Sequence, residues 1–393
     1  MNRMTLCLCG SASAGADTDA QLKSRAQELA RKLLLIDTHV DTPYELHKEM
    51  RDISMRSDKG HFDYVRARQG GLDAVFMAVY VPPDYEDKGG ARAFAEQTIG
   101  EICSYAQKWP GQFVLASSVE EIKAQFGSGR VSLLIAIENG SALEGDLKNV
   151  KRFYDRGVRY ITLTHSKNNQ ICDSSFDEAP KWHGLSPFGK QVIAEMNRLG
   201  MIIDVSHASD EAFDQIIDLS KAPVVATHSS CRHFTPGWHR NMSDEMIRAL
   251  GDKGGVIQIN FGSIFIDATV NREFEKLREE IKRHVETHNL QGDERNDYTR
   301  RRFMETQFSR AHVSQVADHI DHVVKLVGID HVGLGSDFDG VEQLPDGLQD
   351  VSGYPNLIYE LLKRGYTEPD LKKICAENFL RTWTEILQAT NSK

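Results

Sequence analysis

The residues of this chain that could do chemistry are histidines and carboxylates that end short apolar runs. They are His39 and Asp41 in the stretch Asp37-Thr38-His39-Val40-Asp41, followed much later by Glu138, His165, His207, His228 and Asp337. Imidazole nitrogens and carboxylate oxygens together form the donor set of many transition-metal sites. The chain has fifteen histidines and six cysteines, which also favours imidazole metal chemistry or acid–base chemistry over a disulfide scaffold.

The spacing of these donors predicts how they divide between two metal ions. Residues i and i+2 of an extended segment point the same way, so His39 and Asp41 can reach one ion together. His207 and His228 end neighbouring apolar runs and can share a second ion. Glu138 has two carboxylate oxygens and can bridge the pair, because two cations about 3.5 to 4 Å apart can polarise a carbonyl and hold a shared hydroxide.

Asp337 is left free by this division, and it could move a proton from the bridging water to a leaving amine. Each residue alone also has a structural explanation: His207 could be a hydrogen-bonded rim histidine, Glu138 a helix cap and Asp337 a turn residue. The recurrence of such residues after successive apolar runs favours the metal site. The histidines of helical stretches are interpreted as surface or packing residues; they are His284, His288, His312, His319 and His322.

The apolar runs themselves have the length and composition of strands buried on both faces, as in a parallel sheet. They cover residues 33–36, 74–80, 131–137, 160–163, 201–205, 223–226, 255–259 and 332–334. Amphipathic stretches typical of helices lie at 21–32, 91–108, 147–156, 187–199, 210–219, 243–250 and 313–327. This alternation predicts a (β/α)8 barrel, with a doubly wound sheet as the alternative. In a barrel the carboxyl ends of the strands share one face, so the candidate ligands would converge there.

Two stretches exceed what a minimal barrel needs. Residues 82–90 are predicted to form a loop, and residues 265–310 are long and highly charged, with a helix predicted over 273–288. The second stretch is a helical insertion between the seventh and eighth predicted strands. It is interpreted as a cover over the barrel mouth or a partner surface, with a solvated helical excursion as the alternative.

The composition limits the class of protein. With 40% hydrophobic and 26% charged residues, the chain can build a large core and is not a disordered or fibrous protein. No apolar run reaches the roughly 18 residues of a membrane span. The formal net charge of −10 predicts no nucleic-acid partner.

The chain is divided at about residue 20. Residues 1–20 resemble an export leader with a short apolar core, or else a disordered tail, and residues 21–393 are predicted to form one barrel domain. The leader predicts export to the periplasm, with a cytoplasmic location as the alternative. Beyond it remain Cys103, Cys172, Cys231 and Cys375, for which the sequence specifies no disulfide pairing.

Several motifs resemble those of the membrane dipeptidase (renal dipeptidase) family, zinc peptidases of the amidohydrolase superfamily. The similarity runs from about Leu34 to about Trp383. Its segments are IDTHVDTPYELH, IENG, YDRGVRYITLTHSKNN, GLSPFGKQVIAEMNRLGMIIDVSHAS, PVVATHSSCR, HRNMSDE and HVGLGSDFDG. The residue after the glutamate is Asn139 in this chain and glycine in many relatives, and little effect on metal binding is expected.

The resemblance implies a (β/α)8 barrel with two zinc ions per chain, bridged by Glu138 and a hydroxide. It makes His39 and Asp41 ligands of one zinc, and His207 and His228 ligands of the other. It further implies that Asp337 is the general base, that His165 contacts the substrate carbonyl oxygen, and that Arg240 binds the substrate's C-terminal carboxylate.

The activity implied is a dipeptidase that needs a free C-terminal carboxylate and also accepts L,D-dipeptides, in a protein that forms a homodimer. The loops 82–90 and 265–310 are expected to shape the side-chain preference. One alternative is another binuclear amidohydrolase acting on an amide or lactam, although many of those bridge their metals with a carbamylated lysine where this chain has Glu138. A barrel kept only as a binding module is disfavoured, because no predicted ligand or base is missing.

Overall fold

The computed structural model describes residues 18–390 except 178 and 342, and only the backbone of residues 293, 296 and 304. Nine strands form one parallel sheet in the order β1-β2-β4-β5-β6-β7-β8-β9, with β3 paired to β4 alone. The strands are β1 (Ile36–Val40), β2 (Ala74–Tyr80), β3 (Phe113–Leu115), β4 (Val131–Glu138), β5 (Val158–Thr162), β6 (Ile202–Asp204), β7 (Val225–Ser229), β8 (Val256–Ile259) and β9 (Val332–Leu334).

The first and last strands of this path meet just past their carboxyl ends. Val40 pairs with Phe338 in parallel orientation. The amide of Asp41 donates to the carbonyl of Phe338 at 2.8 Å, and the amide of Asp337 donates to the carbonyl of His39 at 3.1 Å. The eight strands other than β3 therefore form a nearly closed barrel. The predicted (β/α)8 fold is confirmed, and the doubly wound sheet is excluded.

Helices lie between the strands and around the outside of the barrel. They are α1 (Asp19–Lys32), α2 (Thr42–Lys48), α3 (Tyr64–Gly70), α4 (Tyr85–Lys88), α5 (Ala91–Lys108), α6 (Val119–Gln125), α7 (Lys148–Asp155), α8 (Pro187–Leu199), α9 (Asp210–Leu219), α10 (Asp244–Asp252), α11 (Ser263–Ile266), α12 (Ala268–Thr287), α13 (Gly292–Glu305), α14 (Val313–Val327), α15 (Tyr354–Lys363), α16 (Glu368–Lys372) and α17 (Asn378–Ala389). Serine side chains cap α8, α9 and α10, at Ser186, Ser209 and Ser243.

Three strands extend further toward the mouth than hydropathy predicts. β1 covers 36–40 rather than 33–36, β7 covers 225–229 rather than 223–226, and β4 includes Glu138. All of the added residues except Val40 are polar, and all are buried, as His39 and His228 are. A pattern search for apolar runs ends a strand too early where its last residues are polar groups buried for function.

The 265–310 insertion differs from its prediction in two ways. Its predicted helix at 273–288 begins five residues earlier, as α12, and a second helix, α13, follows it. Val270, Leu277 and Ile281 of α12 are buried. The insertion places Phe274 and Phe303 at the cavity in the barrel mouth, so it contributes to the lining of that cavity. The predicted loop at 82–90 contains the short helix α4.

Two cores hold the barrel. One fills its interior with side chains that alternate along the strands, such as Phe76 of β2 and Leu134 and Ala136 of β4. Continuing that alternation by two residues brings Glu138 to the interior at the mouth. At the opposite end, Trp383 of α17 packs 6.0 Å from Phe76, ring centre to ring centre. The second core lies between the outer strand faces and the helices.

Three further predictions concern the chain outside the barrel sheet. The proposed leader, at residues 1–20, lies almost entirely outside the described residues. Cys103, Cys172, Cys231 and Cys375 are all free thiols. Among the described residues, no helix combines the length and the apolar character needed to cross a membrane.

Candidate metal centre

The predicted site residues meet at the carboxyl ends of the strands. A cavity of about 470 Å³ is lined by Asp41, Glu138, His165, His207 and Asp337. His39 and His228 lie behind them, fully buried, with their Nε2 atoms 3.7 Å and 3.3 Å from the Glu138 carboxylate. Arg240 is buried beside the cavity, 3% exposed.

Glu138 lies at the centre of this arrangement, with its two oxygens turned to different partners. Oε2 is 3.7 Å from His39 Nε2, and His39 Nε2 is in turn 3.3 Å from Asp41 Oδ2. Oε1 is 3.2 Å from His207 Nε2 and 3.3 Å from His228 Nε2. One oxygen thus faces the His39–Asp41 pair and the other faces the His207–His228 pair, which is the placement a bridging carboxylate requires.

The tautomer of His39 follows from its neighbour Tyr160. The Tyr160 hydroxyl donates its one hydrogen to the carbonyl of Thr38 at 2.9 Å. Its 2.7 Å contact with His39 Nδ1 must therefore be one in which Nδ1–H donates. In the neutral ring of His39 the lone pair is therefore on Nε2, which has no hydrogen-bond partner in the protein.

The same reasoning applies to His228 through Thr227 and Asp204. The Asp204 carboxylate accepts four donors: the amides of Ser206 and Thr227 and the hydroxyls of Thr162 and Thr227. Because the Thr227 hydroxyl donates to Asp204, it accepts from His228 Nδ1, 2.9 Å away. His228 Nε2 therefore also presents a lone pair, only 2.9 Å from His207 Nε2.

The electrostatics of this group favour a cation. Burial lowers the pKa of His207 and of His228, so both rings are neutral ligands. Burial opposes a charge on His39, but Tyr160, Glu138 and Asp41 together raise its pKa well above the ordinary value. Burial, with the nearby charge of Glu138, raises the pKa of Asp41. Converging lone pairs and carboxylates without protein donors fit divalent metal ions well.

Three sets of donors bring their ligand atoms within 4.8 Å of one another at this site. They are His39 with Glu138 and His228, Glu138 with His165 and His207, and His39 with Asp41 and Asp337. The geometry thus brings together all five predicted ligands. It also places His165 and Asp337 close enough to act as ligands, so their separate roles rest on further observations.

Asp337 and His207 share an unusual backbone conformation. Their φ angles are 64° and 69°, in the left-handed region that non-glycine residues seldom adopt. Asp337 Oδ2 accepts a 2.6 Å hydrogen bond from Asn260 Nδ2, which fixes the carboxylate. A Cβ on Gly340 would lie 2.2 Å from Asp41 Oδ2 and 2.3 Å from Asp337 Oδ1, so the absence of a side chain there lets the two carboxylates approach.

His165 differs from the three buried histidines. Its side chain is 21% exposed to the cavity, and its Nδ1 has no hydrogen-bond partner. Burial lowers its pKa to about 4. A neutral ring that lines the cavity and has one nitrogen without a hydrogen-bond partner is suited to contact a substrate.

Arg240 is held by its own chain. Nη1 donates to the Ser229 hydroxyl at 2.9 Å and Nη2 donates to the His228 carbonyl at 2.8 Å. Nε is buried without a partner, and no carboxylate of the described residues pairs with the guanidinium. Burial lowers its pKa to about 10, so the group stays charged at neutral pH. A buried cation without a counter-ion is poised to bind an anion.

The unusual residue Asn139 is accommodated by its conformation. Its φ is 82°, in the region that favours glycine and that asparagine tolerates best among the other residues. Its Oδ1 accepts from Ser141 and Asn169, and its Nδ2 donates to the carbonyl of Val81. The side chain therefore ties together the loop after β4.

Sequence reasoning missed the residues that orient the ligands. Tyr160 opens a predicted strand, and nothing in its type separates it from an ordinary core residue. Asp204 carried a signal, because it is a carboxylate inside the apolar run 201–205. Of the histidines predicted to be surface or packing residues, His319 is fully buried and accepts a hydrogen bond from the amide of Cys231, and His322 Nε2 lies 2.8 Å from Asp244 Oδ1.

Comparison with known proteins decides the family. The family model of membrane dipeptidases (peptidase family M19) matches residues 23–393. The chain belongs to this family. It is 34% identical to dipeptidase tcpJ of Claviceps purpurea over 334 residues, which are 83% of this chain and 69% of that protein.

Solved structures of similar proteins agree with the membrane dipeptidase fold. The probable dipeptidase PvdM from Pseudomonas aeruginosa superposes with a TM-score of 0.84 at 28% identity, covering 94% of this chain and 99% of that one. A metallopeptidase from Rhodobacter sphaeroides, bound to a phosphinate mimic of the dipeptide L-Ala-D-Ala, has a TM-score of 0.74 at 26% identity, covering 90% and 99%. As a membrane dipeptidase family member, the chain is a metallo-dipeptidase, a hydrolase of peptide bonds.

Proposed function

We propose that this dipeptidase uses two zinc ions to hydrolyse dipeptides with a free C-terminal carboxylate, including L,D-dipeptides. The observation that carries the proposal is the position of Glu138 between two pairs of donors. His39 and Asp41 would hold one ion, His207 and His228 the other, and Glu138 both. When bound, such a pair of ions polarises the scissile carbonyl and activates a water molecule for attack.

We assign the proton transfer to Asp337. Its carboxylate lines the cavity and is held by Asn260, which donates to only one of its oxygens. The other oxygen, Oδ1, is the one that would take a proton from the attacking water. Passing that proton to the departing amine completes the hydrolysis, because the leaving amino acid then departs as a neutral amine.

His165 is assigned to the substrate carbonyl oxygen. With its pKa lowered to about 4 by burial, the ring is neutral and can donate only from the nitrogen that carries its hydrogen. A donor aimed at the carbonyl oxygen stabilises the negative charge that develops there during attack.

Arg240 is assigned to the substrate's C-terminal carboxylate. The buried guanidinium has an unpaired Nε–H and no carboxylate partner among the described residues, so a substrate carboxylate would supply the missing counter-charge. A longer peptide would have to place an amide where this carboxylate binds, which limits the enzyme to dipeptides.

The proposal for L,D-dipeptides is supported by the similar Rhodobacter sphaeroides protein, whose ligand mimics L-Ala-D-Ala. The test is a panel of dipeptides presented to zinc-loaded protein, with L- or D-residues at the second position and a tripeptide control. Hydrolysis of L,L and L,D members without cleavage of the tripeptide is expected. If no dipeptide is hydrolysed, the proposed function is wrong, and cleavage of L,L members alone would remove only the L,D part.

A further inference from the structure

The cavity at the metal centre has one wall that the proposed chemistry does not use. This aromatic wall consists of Phe176, Phe265, Phe274, Phe303 and Phe308, all of which line the cavity. Four of the five belong to the 265–310 insertion. The cavity lining also includes the polar residues Tyr44, Glu45 and Lys48.

The aromatic wall consists of two groups of rings, and the Arg278 guanidinium carbon lies between them, 5.8 Å from the ring of Phe176 and 6.0 Å from that of Phe274. Near the metals, the ring of Phe176 lies 5.9 Å from that of His207. Further out, Phe274 lies 5.5 Å from Phe303 and 6.4 Å from Phe308. These separations are within the range of favourable aromatic pairs. The rings therefore form two apolar groups that line the same cavity rather than scattered exposed residues.

Contacts within the insertion order part of the wall. Leu277 and Ile281 of α12, the helix that carries Phe274, are buried. The backbone amide and hydroxyl of Ser309 both donate to the Glu273 carboxylate, at 2.8 and 2.9 Å, which fixes the segment next to Phe308. An apolar surface that is already ordered binds a ligand without a large entropic cost.

The wall begins beside Arg240. The ring of Phe265 lies 5.1 Å from the Arg240 guanidinium carbon, and Trp238 packs between Phe265 and Phe176 at 4.9 and 6.3 Å. If Arg240 binds the C-terminal carboxylate, the side chain nearest the wall is that of the C-terminal residue. This step rests on the proposed function.

We propose that the aromatic wall is the binding subsite for a large apolar side chain, aromatic or branched aliphatic, on the C-terminal residue of the dipeptide. Burying such a side chain against the wall removes more apolar surface from water than burying the methyl group of alanine. The insertion, which supplies four of the five rings, then sets the substrate preference of the enzyme.

The experiment compares kcat/KM for Ala-X and X-Ala dipeptides, with X as Ala, Leu or Phe in both L- and D-forms. The wild-type protein is expected to prefer Leu and Phe to Ala at the second residue by roughly 10-fold or more. Phe303→Ala should lower kcat/KM for those two by roughly 10-fold while changing Ala-Ala by less than about 3-fold. Phe303→Leu should keep most of the preference.

Tyr298→Ala is the matched control, because Tyr298 lies on the same helix but stacks on His284, 4.0 Å away, and does not line this cavity. It should leave the preference unchanged. Thermal melting checks that each variant folds, and Phe308→Ala provides a second test if Phe303→Ala unfolds.

The proposed subsite would be overturned by any of three results. The wild-type enzyme could lack the preference, it could show a preference at the first residue only, or Phe303→Ala and Tyr298→Ala could have equal effects. Such a protein would still be a dipeptidase, whereas failure to hydrolyse every dipeptide would instead contradict the proposed function.

Discussion

Tyr160 accepts a 2.7 Å hydrogen bond from His39 Nδ1 while donating its own hydrogen to the Thr38 carbonyl. This relationship leaves the lone pair of His39 on Nε2, facing Asp41 and Glu138. A buried hydroxyl from another strand thus determines which nitrogen of the ligand is available, before any metal binds.

Replacing Tyr160 by Phe should therefore weaken metal binding. The ring of His39 would lose the partner that fixes its tautomer, and a loss of about 10- to 100-fold in affinity for the metal at that position is expected. Competition with a chromophoric chelator measures it, and added zinc should restore activity. Tyr105→Phe is the control, because the Tyr105 hydroxyl is also buried but has no hydrogen-bond partner; equal effects of the two substitutions would refute the assignment.

Replacing Asp337 by Asn should separate proton transfer from metal binding. The amide cannot accept the proton, so kcat should fall by roughly 100-fold or more while two metals per chain remain. Metal analysis alongside steady-state kinetics checks both. Loss of metal together with activity would instead show that Asp337 is a ligand. Its ligand atoms lie close to those of His39 and Asp41, so the metal content has to be measured.

Replacing Arg240 by Ala should remove the distinction between a free carboxylate and a neutral C-terminus. We expect the wild-type enzyme to favour Ala-Ala over its C-terminal amide by at least about 100-fold, because a site built for a charged partner rejects the analogue without it. In the variant this ratio should approach one, mostly through slower turnover of the acid. A ratio that stays at the wild-type value would show that Arg240 does not bind the carboxylate.

Replacing Trp383 by Ala should destabilise the whole barrel. Trp383 is fully buried at the end opposite the metal centre, packed on Phe76 and Phe379. A cost of about 3 to 5 kcal/mol in the free energy of unfolding is expected. Urea denaturation at fixed zinc concentration measures this, and Leu219→Ala, at a side chain 45% exposed, should change stability by less than about 0.5 kcal/mol. Similar costs for both would contradict the role of this end of the barrel.

The sequence was sufficient to predict the barrel, because alternating apolar runs and capped helices are local patterns. The helices at 91–108, 187–199, 210–219 and 313–327 have the bounds that their amphipathic patterns predict. β1 and β7 end four and three residues later than predicted, since most of the residues added at their ends are polar yet buried. Local hydropathy does not contain the information that a buried histidine will face a metal site.

The candidate site was predictable in its residue types but not in its supporting contacts. His39, Glu138 and His228 stand out by type and by position after a strand. Tyr160 contacts His39, which is 121 positions away in the sequence, and Asn260 contacts Asp337, which is 77 positions away. Only folding brings these residues together. Export and the homodimer stay predictions.

The most direct test of the two-metal dipeptidase is a zinc titration of the metal-free protein, followed by hydrolysis of one L,L- and one L,D-dipeptide. Chelation should abolish activity, and activity should return in proportion to zinc until about two equivalents per chain are bound. Full activity with one equivalent would contradict the shared role of Glu138, and activity that survives complete metal removal would contradict the account as a whole.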